Sequence, residues 1–345
     1  MTPPKRSAAL RIGLSARALA AHGPAIAQAL AGRRHQLLSF EALQHQPLPA
    51  LDIALISRDV TGLSTKQVVA TETAAVYDLL RRAPALAWVH IHSAGADRPI
   101  YQALMARGVA VSTSSGANAE VVVQTAVAGL LALARGFPAL MAAQQQRHWL
   151  PLMASALPRE LSGQTALIVG WGPIGQGIGA VLRLLGLKLR VVRHSGAPVA
   201  ADVPSYAFSD WRQALPRADW LLLACPLNAA SLRLVDAAAL ALLPAGARLI
   251  NVARGEVVVE RDLIAALQSG RLGGAYLDVF EHEPLPADSP LWTLDGVLLT
   301  PHVAGFSDGN EARVVERFVA NLQRWTSGQD LASLASLASL ATAAA

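Results

Sequence analysis

The amino-acid sequence predicts an α/β protein with two doubly wound domains, each built on a parallel sheet. The first third of the chain alternates short apolar runs with helix-compatible segments, and a second alternating run extends from Thr165 to His302. A glycine-rich turn joins a strand to a helix at the start of the second run. The length of 345 residues accommodates about two domains of roughly 150 residues each.

The apolar runs of the first third have the length of strands. Pro, Gly or polar residues separate them, and strands that alternate with helices are typical of a parallel sheet covered on both faces. The predicted strands are Ala8–Ser15, Leu51–Ser57, Leu86–Ser93 and Val109–Thr113.

Two longer helices follow from the apolar pattern. The segment Asn118–Arg135 is apolar almost throughout, and Gly136 and Pro138 end it. The segment Asp308–Trp325 has apolar residues at helical spacing. Because no strand accompanies this last helix, we expect it to pack on the first domain.

The predicted first domain is therefore discontinuous. It comprises residues 1–115 and 306–330, and the second domain comprises residues 116–305. Residues 331–345 repeat Leu-Ala-Ser and carry no charge, so they are expected to form a frayed or weakly helical tail without function.

Composition excludes several classes of protein. An apolar content of 53% can form a core, and the apolar stretches are shorter than the roughly 20 residues that cross a bilayer. The first residues lack the pattern of a signal peptide, and a single cysteine excludes a disulfide scaffold. The sequence predicts a soluble, cytoplasmic protein that does not associate with membranes.

The net charge of +5 raises the question of nucleic-acid binding. The 29 basic residues are scattered, mostly singly, whereas nucleic-acid binders concentrate them in a stripe or arm. We therefore expect no nucleic-acid partner.

The strand Thr165–Val169 runs directly into a G-x-G-x-x-G turn. The turn consists of Gly170, Trp171, Gly172, Pro173, Ile174 and Gly175. A helix (174–185) and a second strand (188–193) follow, which is the context of a dinucleotide site. A structural glycine-rich turn is the alternative.

The three glycines and the proline of this turn each have a physical reason in a dinucleotide site. Gly170 permits the tight turn, Gly172 lets the backbone approach a pyrophosphate, and Gly175 lets helix and strand pack closely. The helix N-terminus supplies free N–H donors, and Pro173 suits a first helical turn.

The end of the second strand indicates which dinucleotide binds. A carboxylate there would accept hydrogen bonds from the ribose of NAD, but this chain has Arg193, His194 and Ser195. A guanidinium pairs with a 2′-phosphate, so NADP is the preferred cofactor and NAD the alternative. Arg193 could instead face solvent without a role.

Three further motifs follow in order, namely Asn251–Gly255, Leu277–Pro286 and Thr300–Gly305. Together with the glycine turn they resemble the D-isomer-specific 2-hydroxyacid dehydrogenase family, and within it the glyoxylate/hydroxypyruvate reductases. The resemblance covers about Leu86–Trp325. It implies Rossmann-like and flavodoxin-like domains with an active-site cleft between them.

The motifs contain the groups that reduction of a 2-keto acid requires. His302 can donate the proton to the carbonyl oxygen. Glu283, if paired with His302, would orient the ring and keep it charged until transfer. Arg254 offers a planar fork for the substrate carboxylate and can polarise the carbonyl.

The resemblance implies further site residues. Asp278 corresponds to the residue that binds the nicotinamide carboxamide, and Ala94 and Gly95 correspond to a loop whose N–H groups hold the substrate carboxylate. The remaining implied cofactor contacts are Cys225, Pro226 and Ala253. His90 and His92, just before the loop, are interpreted as packing residues of the strand.

The predicted function is hydride transfer between NAD(P)H and a small 2-keto acid such as glyoxylate or hydroxypyruvate, giving the D-2-hydroxy acid. The alternative is a dinucleotide-sensing, corepressor-like interaction scaffold on the same fold. The resemblance also implies a homodimer, with the apolar helix Asn118–Arg135 in its interface. No zinc-type spacing exists, so no metal is predicted.

Overall fold

The computed structural model describes residues 9–152 and 157–336. The strands are β1 (Leu10–Leu14), β2 (His35–Ser39), β3 (Ile53–Ile56), β4 (Trp88–Ile91), β5 (Ala110–Thr113), β6 (Thr165–Val169), β7 (Lys188–Val192), β8 (Ser205–Tyr206), β9 (Trp220–Leu223), β10 (Ala247–Asn251), β11 (Leu272–Leu277) and β12 (Val297–Leu299). The helices are α1 (Ala16–Ala29), α2 (Phe40–Leu43), α3 (Arg58–Thr61), α4 (Thr71–Arg82), α5 (Pro99–Ala106), α6 (Ala119–Ala134), α7 (Phe137–Gln145), α8 (Pro173–Leu184), α9 (Ala237–Leu242), α10 (Glu260–Gln268) and α11 (Asn310–Thr326).

These elements form two compact units. The first comprises residues 9–118 and 307–336, and the second comprises the described residues of 119–306. Each unit holds a sheet whose paired strands are all parallel. The predicted α/β class with two parallel sheets is confirmed.

The sheet of the first unit has the order β2-β1-β3-β4-β5, which is the flavodoxin-like order. The four predicted strands are present, and β2 was missed. Its residues are only partly buried at the sheet edge, and it begins with His35 and Gln36, so it lacks an apolar run.

The last helix packs on the first unit, as predicted. Phe318 of α11 stacks on Trp88 of β4 at 5.3 Å between ring centroids, and Trp325 stacks on the same indole at 5.7 Å. Leu10 and Ile12 of β1 belong to the same apolar cluster. The amphipathic stripe of α11 therefore covers one face of the sheet.

The prediction of a frayed or helical tail is wrong for its first residues. The Thr113 N–H donates to the Ser333 carbonyl at 3.0 Å, and the Ala335 N–H donates to the Val111 carbonyl at 2.8 Å. This antiparallel pairing satisfies the free edge of β5. Because this pairing uses backbone groups, an extended segment of any composition can pair with the edge of a β-sheet. The rest of the tail, residues 337–345, lies outside the described residues.

The sheet of the second unit has the order β12-β11-β10-β9-β6-β7-β8. The chain reverses direction across the sheet between β6 and β9, and ligands of doubly wound folds bind at the carboxyl ends of strands at such a switch point. The glycine turn follows β6 at this position. The fold thus places the predicted dinucleotide site where such folds bind ligands.

The apolar content of α6 is explained by its own unit. Its residues Val122, Ala126 and Leu130 are buried in one cluster with Ile178 and Leu182 of α8. No single helix of the described residues is long and apolar enough to span a membrane, although α6 and α7, bent by 73°, together meet the length and composition of a span.

His90 belongs to a buried polar network in the first unit. Trp88 Nε1 donates to Ser112 Oγ at 2.7 Å, and the His90 ring nitrogens lie 2.7 Å from Ser112 Oγ and 3.0 Å from Ser114 Oγ. Ser114 Oγ donates to the Ile91 carbonyl at 2.9 Å, so His90 Nε2 must carry the ring proton. Burial, assisted by the charges of Arg317 and His92, lowers the pKa of His90 to about 3.

This network makes the stability of the protein sensitive to acid. Unfolded His90 binds a proton below about pH 6.5, whereas folded His90 stays neutral until about pH 3. The native state is therefore destabilised as pH falls from 6.5, by about 2 kcal/mol at pH 5 from this residue alone. Urea unfolding at pH 7.5 and 5.0 should show a smaller loss for His90→Gln than for wild type. Equal losses would contradict this role.

Candidate active site

The glycine turn is shaped by close approaches of the backbone. Gly170 has a φ of 100°, and a Cβ there would lie 2.7 Å from the backbone of Ala224 after β9. A Cβ on Gly175 would lie 2.0 Å from the Gly170 carbonyl oxygen. At Gly172, in contrast, a Cβ would meet no atom within 4 Å. Gly170 and Gly175 are required for packing, and Gly172 leaves open space.

The first turn of α8 presents free donors beside this open space. Gly172 is the N-cap residue and caps no N–H with a side chain, and Pro173 occupies the first helical position. The N–H groups of Ile174 and Gly175 donate to no acceptor among the described residues. Trp171 anchors the turn, since its carbonyl accepts a 3.0 Å hydrogen bond from Gln176 Nε2. Donors, helix dipole and space together fit a pyrophosphate.

Cys225 and Pro226 follow β9 next to Gly170. The thiol is buried, and burial raises the pKa of Cys225 to about 12. A thiol in this state is a packing group, in agreement with the interpretation that it is no nucleophile.

Arg193, His194 and Ser195 leave the sheet at the end of β7. The Arg193 N–H donates to the Tyr206 carbonyl at 3.0 Å, which fixes the backbone of this end. His194 and Ser195 are exposed, and Arg193 is partly exposed. Within residues 9–152 and 157–336, the Arg193 guanidinium forms no ion pair. Ser195 Oγ accepts the Ala197 N–H at 3.3 Å, and all three side chains can be reached from solvent.

His302 and Glu283 form a pair at the carboxyl edge of the second sheet. His302 Nδ1 lies 2.7 Å from Glu283 Oε2, and the second carboxylate oxygen accepts the Phe280 N–H at 3.2 Å. The His302 side chain is 46% exposed, so Nε2 is accessible to a substrate. Burial alone would raise the pKa of Glu283, but the hydrogen bond and charge of His302, the Phe280 N–H and the charge of Arg254 together lower it. Glu283 is therefore an anion beside the ring.

Asp278 organises the chain that carries His302. Asp278 is 2% exposed, and its carboxylate accepts hydrogen bonds from Thr300 Oγ1 at 2.6 Å, the Val303 N–H at 2.8 Å and the Ala304 N–H at 3.0 Å. Its carbonyl accepts the His302 N–H at 2.8 Å. These bonds hold His302 at a φ of 54°, in the left-handed region that non-glycine residues seldom adopt.

This role of Asp278 was missed by sequence reasoning, which assigned it to the nicotinamide carboxamide. Burial raises the pKa of Asp278 in spite of the hydrogen bonds it accepts. The motif Leu277–Pro286 gave no sign that Asp278 would bind groups 22 to 26 residues further along the chain.

Arg254 follows β10 and approaches the same loop. Its Nη1 donates to the Ala253 carbonyl at 2.7 Å, and its own carbonyl accepts from Asn251 Nδ2 at 3.1 Å. A Cβ on Gly255 would lie 1.9 Å from the carbonyl carbon of Phe280. The backbone at Gly255 therefore packs directly against the backbone of the segment that leads to Glu283. The charge of Arg254 acts on the Glu283 carboxylate.

The structure therefore brings Arg254, Glu283 and His302 together in the second unit. Ala94 and Gly95 belong to the first unit, in a loop after β4. Their N–H groups donate to no acceptor among the described residues, and Ser93 Oγ closes the loop on the Gly95 carbonyl at 2.8 Å. Nothing in the described ranges groups three or more His, Cys, Asp or Glu side chains for a metal ion.

Comparison with known proteins identifies the family. Residues 127–304 match the model of the D-isomer specific 2-hydroxyacid dehydrogenase, NAD binding domain. The chain belongs to this family. It is an NAD(P)-dependent oxidoreductase of the 2-hydroxyacid dehydrogenase type, as the resemblance predicted.

Relatives within the family align with this chain over most of its length. The (S)-sulfolactate dehydrogenase of Chromohalobacter salexigens is 33% identical over 74% of this chain and 83% of its own. A family member from Xanthobacter autotrophicus, solved with NADPH and MES, is 28% identical, with a TM-score of 0.73 over 96% of this chain and 98% of its own. The NADPH-dependent glyoxylate/hydroxypyruvate reductase of Sinorhizobium meliloti, solved with NADP and sulfate, is 26% identical, with a TM-score of 0.72 over 96% and 99%.

Two alanine substitutions separate the structural from the ligand-binding glycines of the turn. Gly175→Ala should lower the melting temperature of the cofactor-free protein by several degrees, because its methyl group meets the Gly170 carbonyl. Gly172→Ala should leave that temperature within about one degree but weaken NADPH binding about tenfold or more, because its methyl group occupies the open space. Thermal melts and fluorescence titrations check this. Unchanged binding by Gly172→Ala would contradict the assigned site.

Proposed function

We propose that this dehydrogenase reduces a small 2-keto acid of the glyoxylate or hydroxypyruvate class to the D-2-hydroxy acid, with NADPH as preferred cofactor and NADH as the alternative. The observation that carries the proposal is the 2.7 Å contact between His302 Nδ1 and Glu283, with Arg254 beside it. The reductase activity of the Sinorhizobium meliloti relative supports the substrate class.

The bound nicotinamide supplies the hydride. His302 donates the proton to the carbonyl oxygen from Nε2, because Nδ1 is held by Glu283. The Glu283 anion stabilises the charged ring before transfer and orients it. Arg254 stabilises the negative charge that develops on the oxygen and binds the substrate carboxylate.

We assign the other part of carboxylate binding to the N–H groups of Ala94 and Gly95. Adjacent free N–H donors in a loop form an anion-binding concavity without any charged side chain. Their lack of acceptors among the described residues supports this role.

The cofactor preference rests on the end of β7. Arg193 is partly exposed, has Ser195 and His194 beside it, and offers a cation where a 2′-phosphate would lie. The Xanthobacter autotrophicus and Sinorhizobium meliloti relatives were solved with NADPH and NADP. Pro226, Cys225 and Ala253 remain proposed contacts of the cofactor, and Asp278 remains the proposed contact of the nicotinamide carboxamide.

The proposed assembly is a homodimer. Exposed apolar side chains follow α6, namely Phe137, Met141 and Trp149, and contact with a second copy would remove such side chains from water. Light scattering that gives the mass of a single chain of 36.1 kDa would contradict it. A cytoplasmic location and the absence of a nucleic-acid partner stay predictions.

A substrate screen with wild type and two histidine variants tests the function. NADPH oxidation should be observed with glyoxylate, hydroxypyruvate or a related acid, and His302→Ala should lower kcat about 1,000-fold or more because the proton donor is lost, with NADPH binding retained. His282→Ala, which removes an exposed histidine of the neighbouring loop, should keep most of the rate. No turnover with any acid and either cofactor would contradict the proposal.

Replacement of Arg193 tests the cofactor preference. Arg193→Ala should raise the KM for NADPH about 30-fold or more, since a charged hydrogen bond to the phosphate is lost, and should change the KM for NADH little. Arg183→Ala, which removes another exposed arginine on α8, is the matched control. Equal effects of both variants would show that net charge alone matters.

A further inference from the structure

Tyr276 places a hydroxyl group inside the second unit, next to the His302 segment, residues 300–304. It is the fifth residue of β11 and is 3% exposed. Because β11 and β12 are parallel neighbours, the phenol reaches Thr300, the first residue after β12, with 2.7 Å between the phenol oxygen and Thr300 Oγ1. Burial of a hydroxyl group is unfavourable unless the group is hydrogen-bonded, and Thr300 is the partner of this one.

The hydrogen-bond chain that begins at Tyr276 has a fixed direction. Thr300 has a single hydroxyl proton, which it donates to Asp278 Oδ1 at 2.6 Å. Tyr276 must therefore donate to Thr300 Oγ1. Burial raises the pKa of Tyr276 to about 12, so the phenol keeps this proton at neutral pH. Each donated bond polarises the next, so the Tyr276 hydroxyl strengthens the bond that Asp278 accepts.

Helix α6 supports both the Tyr276 ring and the far end of the His302 segment. A Cβ at Gly129, inside α6, would lie 2.5 Å from Cγ and Cδ1 of Tyr276. Glycine destabilises the interior of a helix relative to alanine, and here the missing side chain leaves the space that the ring fills. One turn earlier, Thr125 Oγ1 shares its proton between the Ala304 carbonyl at 3.1 Å and the Val121 carbonyl at 3.0 Å. The His302 segment is thus held at both of its ends.

We propose that Tyr276 is a positioning residue for the proton transfer, because its hydroxyl directs the Thr300 proton onto Asp278. Asp278 in turn holds the His302 segment. The inference rests on the proposed function, in which His302 donates the proton to the substrate. Tyr276 is buried and acts through Thr300. Without its hydroxyl, the bond from Thr300 to Asp278 weakens and the His302 ring is held less firmly.

Removal of the hydroxyl group alone tests this role. Tyr276→Phe keeps the ring against Gly129 and should lower kcat for the preferred 2-keto acid about tenfold, because His302 is held less firmly. The KM for NADPH should stay within about twofold of wild type, since the glycine turn is unchanged, and NADPH binding also shows that the variant folds. The matched control is Tyr206→Phe, which removes a hydroxyl 2.9 Å from Arg190 Nη1 at the opposite edge of the same sheet. It should keep kcat within about twofold.

A double-mutant cycle shows whether Tyr276 acts through Thr300. Thr300→Val should lower kcat at least as much as Tyr276→Phe, because the bond to Asp278 itself is lost. The double variant should be as fast as Thr300→Val alone, within about twofold, since the Tyr276 hydroxyl then has no partner through which to act. Thr300→Ser retains the hydroxyl group and should keep kcat within about threefold of wild type.

The pH profile separates this role from a loss of stability alone. Burial raises the pKa of Asp278, whereas the hydrogen bond and charge of His302 lower the pKa of Glu283 in spite of its burial. As pH falls, Asp278 therefore takes up a proton before Glu283 does. Among the described residues, His302 and Tyr276 are the titratable groups whose charges act between this carboxylate and its surroundings.

Loss of the Tyr276 hydroxyl weakens a hydrogen bond to the Asp278 anion and raises the pKa of this carboxyl group further. Protonated Asp278 holds the His302 segment less well. The acid limb of the kcat/KM profile should therefore move to higher pH by about half a unit or more in Tyr276→Phe, and it should stay in place in Tyr206→Phe.

The proposal is overturned if Tyr276→Phe keeps kcat within about twofold of wild type, or if its effect and that of Thr300→Val multiply in the double variant. An acid limb that stays in place in Tyr276→Phe would also overturn it. Each of these results leaves the reductase function intact. A wild-type enzyme that reduces no 2-keto acid would contradict the proposed function instead, and this inference would fall with it.

Discussion

The buried carboxylate of Asp278 holds the polypeptide on which the proposed chemistry depends. It gathers one hydroxyl and two backbone N–H groups from the segment 300–304, and its carbonyl accepts the N–H of His302 itself. A histidine with a φ of 54° would relax to another conformation without such bonds. The direction of the His302 ring, and therefore its contact with Glu283, follows from a group that never needs to touch the substrate.

The rest of the second-unit site is built by backbone segments in near contact. The Arg254 segment reaches the Glu283 segment because Gly255 has no side chain to separate it from Phe280. The glycine turn reaches the end of β9 in the same manner through Gly170. Such contacts place a cation, an anion and an imidazole, from three different strand ends, at one edge of the sheet. Precision of this kind is what electrostatic stabilisation of a transition state requires.

Strand β6 of the second unit could be predicted because all of its residues except the first are buried and apolar. Thr165–Val169 was placed to the residue, as was the glycine turn that follows it. The edge strand β2 could not be predicted, because its residues are only partly buried and therefore do not form an apolar run. The pairing of Leu334 with Ser112 was also hidden, because backbone hydrogen bonds are independent of side-chain type.

The residues of the candidate site also differ in how far their roles could be predicted from the sequence. Glu283 and His302 were recognisable as a pair from their chemistry and from the order of the motifs, and the structure places them in contact. The function of Asp278 as a holder of the loop was not recognisable, because it depends on where the chain returns after β12. Propensity and motif spacing identify residue types at strand ends, and only the folded chain determines which of them meet.

Glu283 keeps a proton on His302 Nδ1 and leaves Nε2 to face the substrate. Nitrogen NMR of the histidine rings measures this directly, with His302 assigned by the signals lost in His302→Gln. In wild type the neutral ring of His302 should carry its proton on Nδ1, and Glu283→Ala should shift that proton toward Nε2. A wild-type ring with its proton on Nε2 would show that Glu283 does not hold His302 in this way.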